Sequence, residues 1–90
     1  MKSILVTYEV VTWNGNDWET GEAATKLDYL DNNIVDVLID AADMKISQMD
    51  NILYFKWKKL EEILDGIETL RKRAYVNGSI KNIKEVDSDA

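Results

Sequence analysis

Near the start of the chain, apolar side chains recur at every second position. The alternating apolar residues are Ile4, Val6, Tyr8 and Val10. Thr7 and Glu9 fall between them and point to the opposite side of an extended chain. A period of two is typical of a β-strand with one buried face, so we predict a strand over residues 3–13.

A turn is expected directly after this strand. Residues 14–17 read Asn-Gly-Asn-Asp, and these residue types tolerate the backbone angles of tight hairpins. Trp13 and Trp18 flank the turn, and in a hairpin their rings pair across it and stabilise the end of the sheet. We therefore predict a returning strand over residues 18–27, although the segment from Glu22 is also compatible with the start of a helix.

Helical spacing replaces the alternation after residue 28. Between residues 29 and 44 the apolar positions recur at intervals of three and four: Leu30, Ile34, Val37, Leu38 and Ala41. This spacing predicts a first helix, with Asp28 or Asp31 as its N-cap. The alternative is a short strand over 34–39, because β-branched residues alternate there.

A second and longer helix is predicted over residues 47–76. Ser47 has the residue type of an N-cap, and Gly78 suits a left-handed cap after the helix. Its apolar stripe comprises Met49, Ile52, Leu53, Trp57, Leu60, Ile63, Leu64, Ile67, Leu70 and Ala74. A helix of about 45 Å is long for a domain of this size, so we expect that a second copy of the chain covers part of the stripe.

Residues 79–86 are predicted to form a last strand and residues 87–90 a frayed end. The predicted fold class is therefore α+β. A small antiparallel sheet, made of the N-terminal hairpin and the C-terminal strand, packs against a two-helix hairpin in the order ββααβ. Ninety residues correspond to one domain, which we assign to residues 1–90.

Composition argues against an enzyme. The chain contains no histidine and no cysteine, so the usual nucleophile–base pairs and zinc ligands are absent. Its four glycines form no phosphate-binding loop. We expect no catalytic residues, no cofactor and no metal site. Neither a secretory signal nor a membrane-spanning segment is recognised, and a cytoplasmic location is expected.

Acidic side chains dominate the first part of the chain. Residues 1–53 hold ten acidic residues and three lysines, and the whole chain has a net charge of −6. On the predicted first helix, Asp36, Asp40 and Asp43 share one face, with Asp28 beside it. Carboxylates four residues apart lie ~6 Å apart along a helix, similar to the spacing of phosphates on a nucleic-acid strand. This face is either a mimic of nucleic acid or a solvated surface that keeps the protein soluble.

The long helix carries aromatic and basic residues over positions 54–59. Trp57 belongs to its apolar stripe, whereas Phe55 points well away from it. A core contact against the sheet is favoured for Phe55, and an exposed anchor for a partner is the alternative.

The leading functional hypothesis is a small acidic inhibitor or adaptor that binds a host protein with a basic surface, such as a nuclease or another nucleic-acid-handling protein. Its size, its charge and the motifs it lacks resemble phage and mobile-element accessory proteins, including anti-CRISPR and other anti-defence inhibitors. The residues expected to contact the partner are Asp28, Asp36, Asp40, Asp43 and Phe55.

Two other functions remain open. One is a self-assembling homodimeric structural subunit in which the long helix pairs with its copy. The other is a weak nucleic-acid-binding module that uses the basic part of the long helix, and it is the least favoured because the flanking field is acidic. Its basic residues are Lys56, Lys58, Lys59, Arg71 and Arg73.

Overall fold

A computed structural model describes residues 2–86, including all side chains in this range except those of 29–30, 71–72 and 78–79. The predicted α+β class and the order ββααβ are confirmed. The frayed end predicted at 87–90 lies outside the described residues. The elements are β1 (Lys2–Trp13), β2 (Trp18–Leu30), α1 (Asn32–Ala41), a 3-10 turn (Ile46–Gln48), α2 (Asn51–Lys72) and β3 (Ala74–Val86).

The three strands form an antiparallel sheet in the order β2-β1-β3, so that β1 is the central strand. The predicted hairpin is confirmed: Trp13 pairs with Trp18 across the turn, with ring centroids 5.3 Å apart in an edge-to-face contact. Residues 18–27 all belong to β2, because each of them pairs with a residue of β1 in the antiparallel ladder. The strand continues to Leu30.

Both helices lie against β1 and β3 on one face of the sheet. The alternation predicted for β1 is confirmed, since the side chains at even positions from Ile4 to Val10 are all buried. They pack with residues of both helices and of β3: Val35, Leu38, Ala41, Trp57, Leu60, Leu64 and Ile83. Within residues 2–86, no helix covers the opposite face of the sheet.

The first helix is shorter than predicted. It spans Asn32–Ala41 instead of 29–44, because β2 extends to Leu30 and the Asp31 carboxylate caps the helix by accepting a hydrogen bond from the Asn33 amide at 2.8 Å. Of the two predicted caps, Asp31 is correct and Asp28 lies within β2. The alternative strand over 34–39 is wrong.

The predicted ends of the second helix are wrong. Ser47 lies in the 3-10 turn, and Asp50 is the N-cap, accepting a hydrogen bond from the Leu53 amide at 2.8 Å. The helix ends at Lys72 and not near residue 76, because Arg73 adopts a left-handed conformation. The last strand begins at Ala74 and not at residue 79.

Side-chain contacts from α2 fix the start of β3. The Asp65 carboxylate accepts a hydrogen bond from the Val76 amide at 2.8 Å, and the Thr69 hydroxyl donates to the Ala74 carbonyl at 2.9 Å. The chain after Arg73 is therefore held extended beside its own helix.

The apolar stripe predicted for α2 divides into two faces. Trp57, Leu60 and Leu64 are buried against the sheet, whereas Ile52 and Leu70 are 70% and 90% exposed. Among the described residues, neither helix combines the length and the apolar character that crossing a membrane would require.

Candidate functional site

The acidic residues predicted to share one helical face are only partly brought together. Asp36 and Asp40 lie on the exposed side of α1, but the helix ends at Ala41 and Asp43 lies in the following turn. The ridge is therefore shorter than the sequence predicted. A single helical turn separates its two remaining carboxylates.

Asp36 forms an ion pair with a lysine of the sheet. Its carboxylate accepts a hydrogen bond from Lys2 Nζ at 2.8 Å, and Lys2 also lies 3.5 Å from Glu85 on β3. The hydrogen bond to Asp36 is the main cause that raises the pKa of Lys2 above its ordinary value. This contact ties α1 to the end of the sheet and offsets part of the charge of Asp36.

Asp28 has partners of its own on the sheet. The buried Ser3 hydroxyl donates a hydrogen bond to its carboxylate at 2.9 Å, and Lys26 Nζ lies 3.4 Å away. Asp28 therefore helps to hold β2 on β1, and a partner protein would have to compete with these contacts.

Asp40 and Asp43 differ from Asp36 and Asp28, whose carboxylates have partners. Both are exposed, and among the described side chains none forms a hydrogen bond or an ion pair with either carboxylate. Asp40 occupies the last turn of α1, where no basic residue is present and where the helix dipole disfavours a negative charge by about 0.3–1 kcal/mol. Neither carboxylate therefore forms a contact that stabilises the described fold.

Exposed apolar residues follow these carboxylates directly. Met44 and Ile46, in the connection between the helices, are 38% and 44% exposed. We call Asp40, Asp43, Met44 and Ile46 the connector patch. Carboxylates beside exposed apolar side chains can supply both the charge and the apolar contact of a protein interface.

Phe55 is exposed, so the favoured prediction of a core contact against the sheet is wrong. Its side chain is 72% exposed and borders an apolar groove of about 350 Å³. The groove is lined by residues of β2, α1 and α2: Leu27, Ile34, Leu38, Phe55, Lys56, Lys59, Leu60 and Ile63. Because the helices pack mainly on β1 and β3, the part of β2 next to α2 is not covered by a helix, and the groove lies there.

The basic residues of α2 do not form one surface. Lys56 and Lys59 line the groove. Lys58 does not: its Nζ lies 3.5 Å from Glu61 Oε1 and 5.6 Å from the centre of the Tyr54 ring. Arg73 lies beside Trp13 and Trp18 near the hairpin turn, and the side chain of Arg71 lies outside the described part of the structure.

Comparison with protein-family models, with curated proteins and with solved structures found no match to this chain. In the described part of the chain, no group of three or more acidic side chains is arranged so that it could hold a metal ion. The candidate site therefore rests on geometry and charge alone.

Sequence reasoning missed the apolar half of the connector patch. Met44 was assigned to the end of the predicted helix over 29–44, and Ile46 directly precedes the predicted helix over 47–76. No signal in the sequence marked them as exposed, because both fit the three- and four-residue spacing of the neighbouring helix. Their exposure follows from the end of α1 at Ala41 and the start of α2 at Asn51.

Proposed function

We propose that this chain is a small acidic inhibitor or adaptor that acts in the cytoplasm by binding a host protein with a basic surface. A nuclease or another nucleic-acid-handling protein is the leading partner class. The size and the charge of the chain fit an anti-defence protein of a phage or mobile element. Binding, without chemistry, is the proposed activity.

The observation that carries the proposal is the connector patch. Asp40 and Asp43 are exposed carboxylates that the described fold does not pair, and Asp40 lies where it costs helix stability. Residues that break a local rule without a gain for the fold are typical of functional sites. Met44 and Ile46 add exposed apolar contact area next to this charge.

The partner surface follows from this chemistry. Carboxylates favour arginine and lysine, and paired charges at an interface direct association and fix its register. A basic groove that binds phosphates offers such cations. Asp36 lies one helical turn from Asp40 and extends the same field, although Lys2 offsets part of its charge.

The test is affinity capture from nuclease-treated bacterial lysate, followed by binding measurements with the purified partner. The bait variant carries Asp40→Asn and Asp43→Asn. The control carries Asp17→Asn and Glu22→Gln, which remove the same charge at exposed positions on the hairpin. We expect the test variant to bind the partner about ten- to a hundredfold more weakly, and the control to bind as the wild type does.

The affinity of the wild type for its partner should also fall as salt rises, because the contact is between charges. Equal loss in the test variant and the control would mean that net charge, and not the connector patch, governs binding. Capture of the same partner at full affinity by the test variant would overturn the proposal, as would failure of the wild type to retain any basic partner.

A further inference from the structure

The apolar groove beside Phe55 has the size and the lining of a small-molecule site. Its deeper side chains are buried or half-buried: Leu27, Leu38 and Leu60. Exposed apolar side chains form its walls: Ile34, Phe55 and Ile63. Its volume of about 350 Å³ lies within the range of ligand sites in proteins, about 300–1,000 Å³.

Two lysines border this apolar lining. Among the described residues that line the groove, Lys56 and Lys59 alone are charged. They are three positions apart on α2, so their side chains emerge on the same side of the helix and can reach one group. Among the described side chains, none forms an ion pair with either ammonium group. Two unpaired cations beside an apolar groove are complementary to an anion with an apolar body.

The lining favours a hydrocarbon chain over a peptide. The surface inside the groove is almost entirely apolar. A peptide backbone placed there would lose its hydrogen bonds to water and gain none in return. A helix is also too wide, because a cylinder of 10–12 Å diameter over two turns occupies roughly 1,000 Å³. A saturated chain is narrow and has no polar group to satisfy.

The dimensions of the groove set the length of this chain. Its lining on α2 runs from Phe55 to Ile63, which is about 12 Å along the helix axis. An extended hydrocarbon advances roughly 1.25 Å per carbon, so about ten carbons span this distance. A methylene group occupies about the volume of one water molecule in the liquid, ~30 Å³, so the groove holds about twelve. The two estimates agree.

We propose that the groove binds a medium-chain fatty acid. Its saturated chain of about ten to twelve carbons lies against the leucines of the groove, and its carboxylate lies between the ammonium groups of Lys56 and Lys59. The bound chain covers part of the exposed Phe55 ring. This inference does not rest on the proposed function, because no residue of the connector patch lines the groove.

Isothermal titration calorimetry with saturated carboxylates of about six to about sixteen carbons tests the proposal, at concentrations below those at which they form micelles. Affinity should rise about two- to fourfold with each added carbon, because each methylene is removed from water. The rise should stop at ten to twelve carbons, where the groove ends. A rise that continues through sixteen carbons would show adsorption to the surface and would refute a bounded site.

The head group is tested by comparing decanoate with uncharged decanol. Lys56→Gln combined with Lys59→Gln should weaken decanoate binding about tenfold or more and leave decanol binding unchanged. Lys81→Gln combined with Lys84→Gln removes the same charge from exposed positions on β3 and should bind decanoate as the wild type does. All four lysines are exposed, so circular dichroism should show an unchanged fold. Equal losses in the two double variants would contradict the assigned site.

The apolar wall is tested separately. Phe55→Ser should weaken decanoate and decanol alike, by about tenfold, because it removes part of the wall that covers the chain. Leu70→Ser is the matched control, since Leu70 is an exposed apolar residue of the same helix outside the groove. It should change neither affinity. A folded wild type that binds no carboxylate of the series would end the proposal, as would binding of decylammonium as tightly as decanoate.

The outcomes for the two proposals are separable. The Asp40→Asn, Asp43→Asn variant should bind decanoate as the wild type does, because neither carboxylate lines the groove. The Lys56→Gln, Lys59→Gln variant should keep its affinity for a basic partner protein. Failure of one proposal therefore leaves the measurement of the other intact.

Discussion

Arg73 ends α2 in a left-handed backbone conformation, with φ of 53° and ψ of 46°. Residues with a Cβ atom reach this region at a cost of roughly 1–2 kcal/mol, and glycine reaches it freely. The sequence analysis placed the end of the helix at Gly78 because Gly78 is the nearest glycine. The helix ends before it because Asp65 and Thr69 bind the backbone that follows Arg73.

Arg73→Gly should therefore stabilise the protein by roughly 1 kcal/mol, because it releases the strain at the helix cap. Urea denaturation followed by circular dichroism measures the change. Arg73→Ala is the control, since it removes the side chain but keeps the unfavourable φ, and it should give no stabilisation. A gain of equal size in both variants would show that the side chain and not the backbone is responsible.

At the scale of elements, the contact between Lys2 and Asp36 joins α1 to the sheet. Because these residues are 34 positions apart, no local pattern in the sequence indicated their pairing. The same limit applies to Ser3 and Asp28, which are 25 positions apart. Charge patterns identified which acidic residues are exposed, but the fold decides which of them are already paired.

The pairing makes stability depend on pH in a defined direction. The pKa of Lys2 is raised in the folded protein, so its contribution is fully present below the pKa of the unfolded chain, about 10.4. The contribution is lost as pH rises through the higher folded value. In Asp36→Asn most of this contribution is absent at every pH.

The wild type should consequently exceed Asp36→Asn in urea midpoint at pH 8, and the difference should shrink above pH 11. The comparison between the two proteins removes the effect of the other lysines and tyrosines, which titrate in both. A difference that stays constant from pH 8 to well above pH 11 would contradict this assignment to Lys2.

The elements themselves were largely predictable. The period of two in β1 and the apolar spacing in α1 and α2 predicted their types, because burial of one face imposes those periods. The exposed half of the α2 stripe was not predictable in the same way. Its residues continue the helical period, and only the position of the sheet decides that Trp57 is buried while Ile52 and Leu70 are exposed.

At the scale of the whole molecule, a buried polar contact joins the sheet to α2. The Tyr8 hydroxyl on β1 donates a hydrogen bond to the Glu68 carboxylate on α2 at 2.9 Å and lies 2.8 Å from the Thr25 hydroxyl on β2. Tyr8 is fully buried, and Glu68 is 5% exposed. Buried polar groups are costly when a partner is removed, so this contact fixes the position of α2 on the sheet.

Tyr8→Phe should destabilise the protein by about 1–3 kcal/mol, because the buried Glu68 carboxylate loses a donor. Tyr75→Phe is the matched control on the exposed face of the sheet, and it should change stability by less than about 0.5 kcal/mol. Thermal unfolding of both variants measures the difference. Equal losses of stability in the two variants would show that the buried Tyr8 hydroxyl contributes no more to stability than the exposed Tyr75 hydroxyl.

The central position of β1 has a consequence for synthesis. β1 leaves the ribosome before β2 and β3, and it can pair with β2 as soon as the hairpin has been synthesised, but its other edge stays unpaired until β3 follows. The core face of β1 therefore stays incompletely covered until both helices and β3 have been synthesised. During that interval the nascent chain exposes an open strand edge and apolar side chains, so its yield in a cell should depend on chaperones and on proteases that act on incomplete chains.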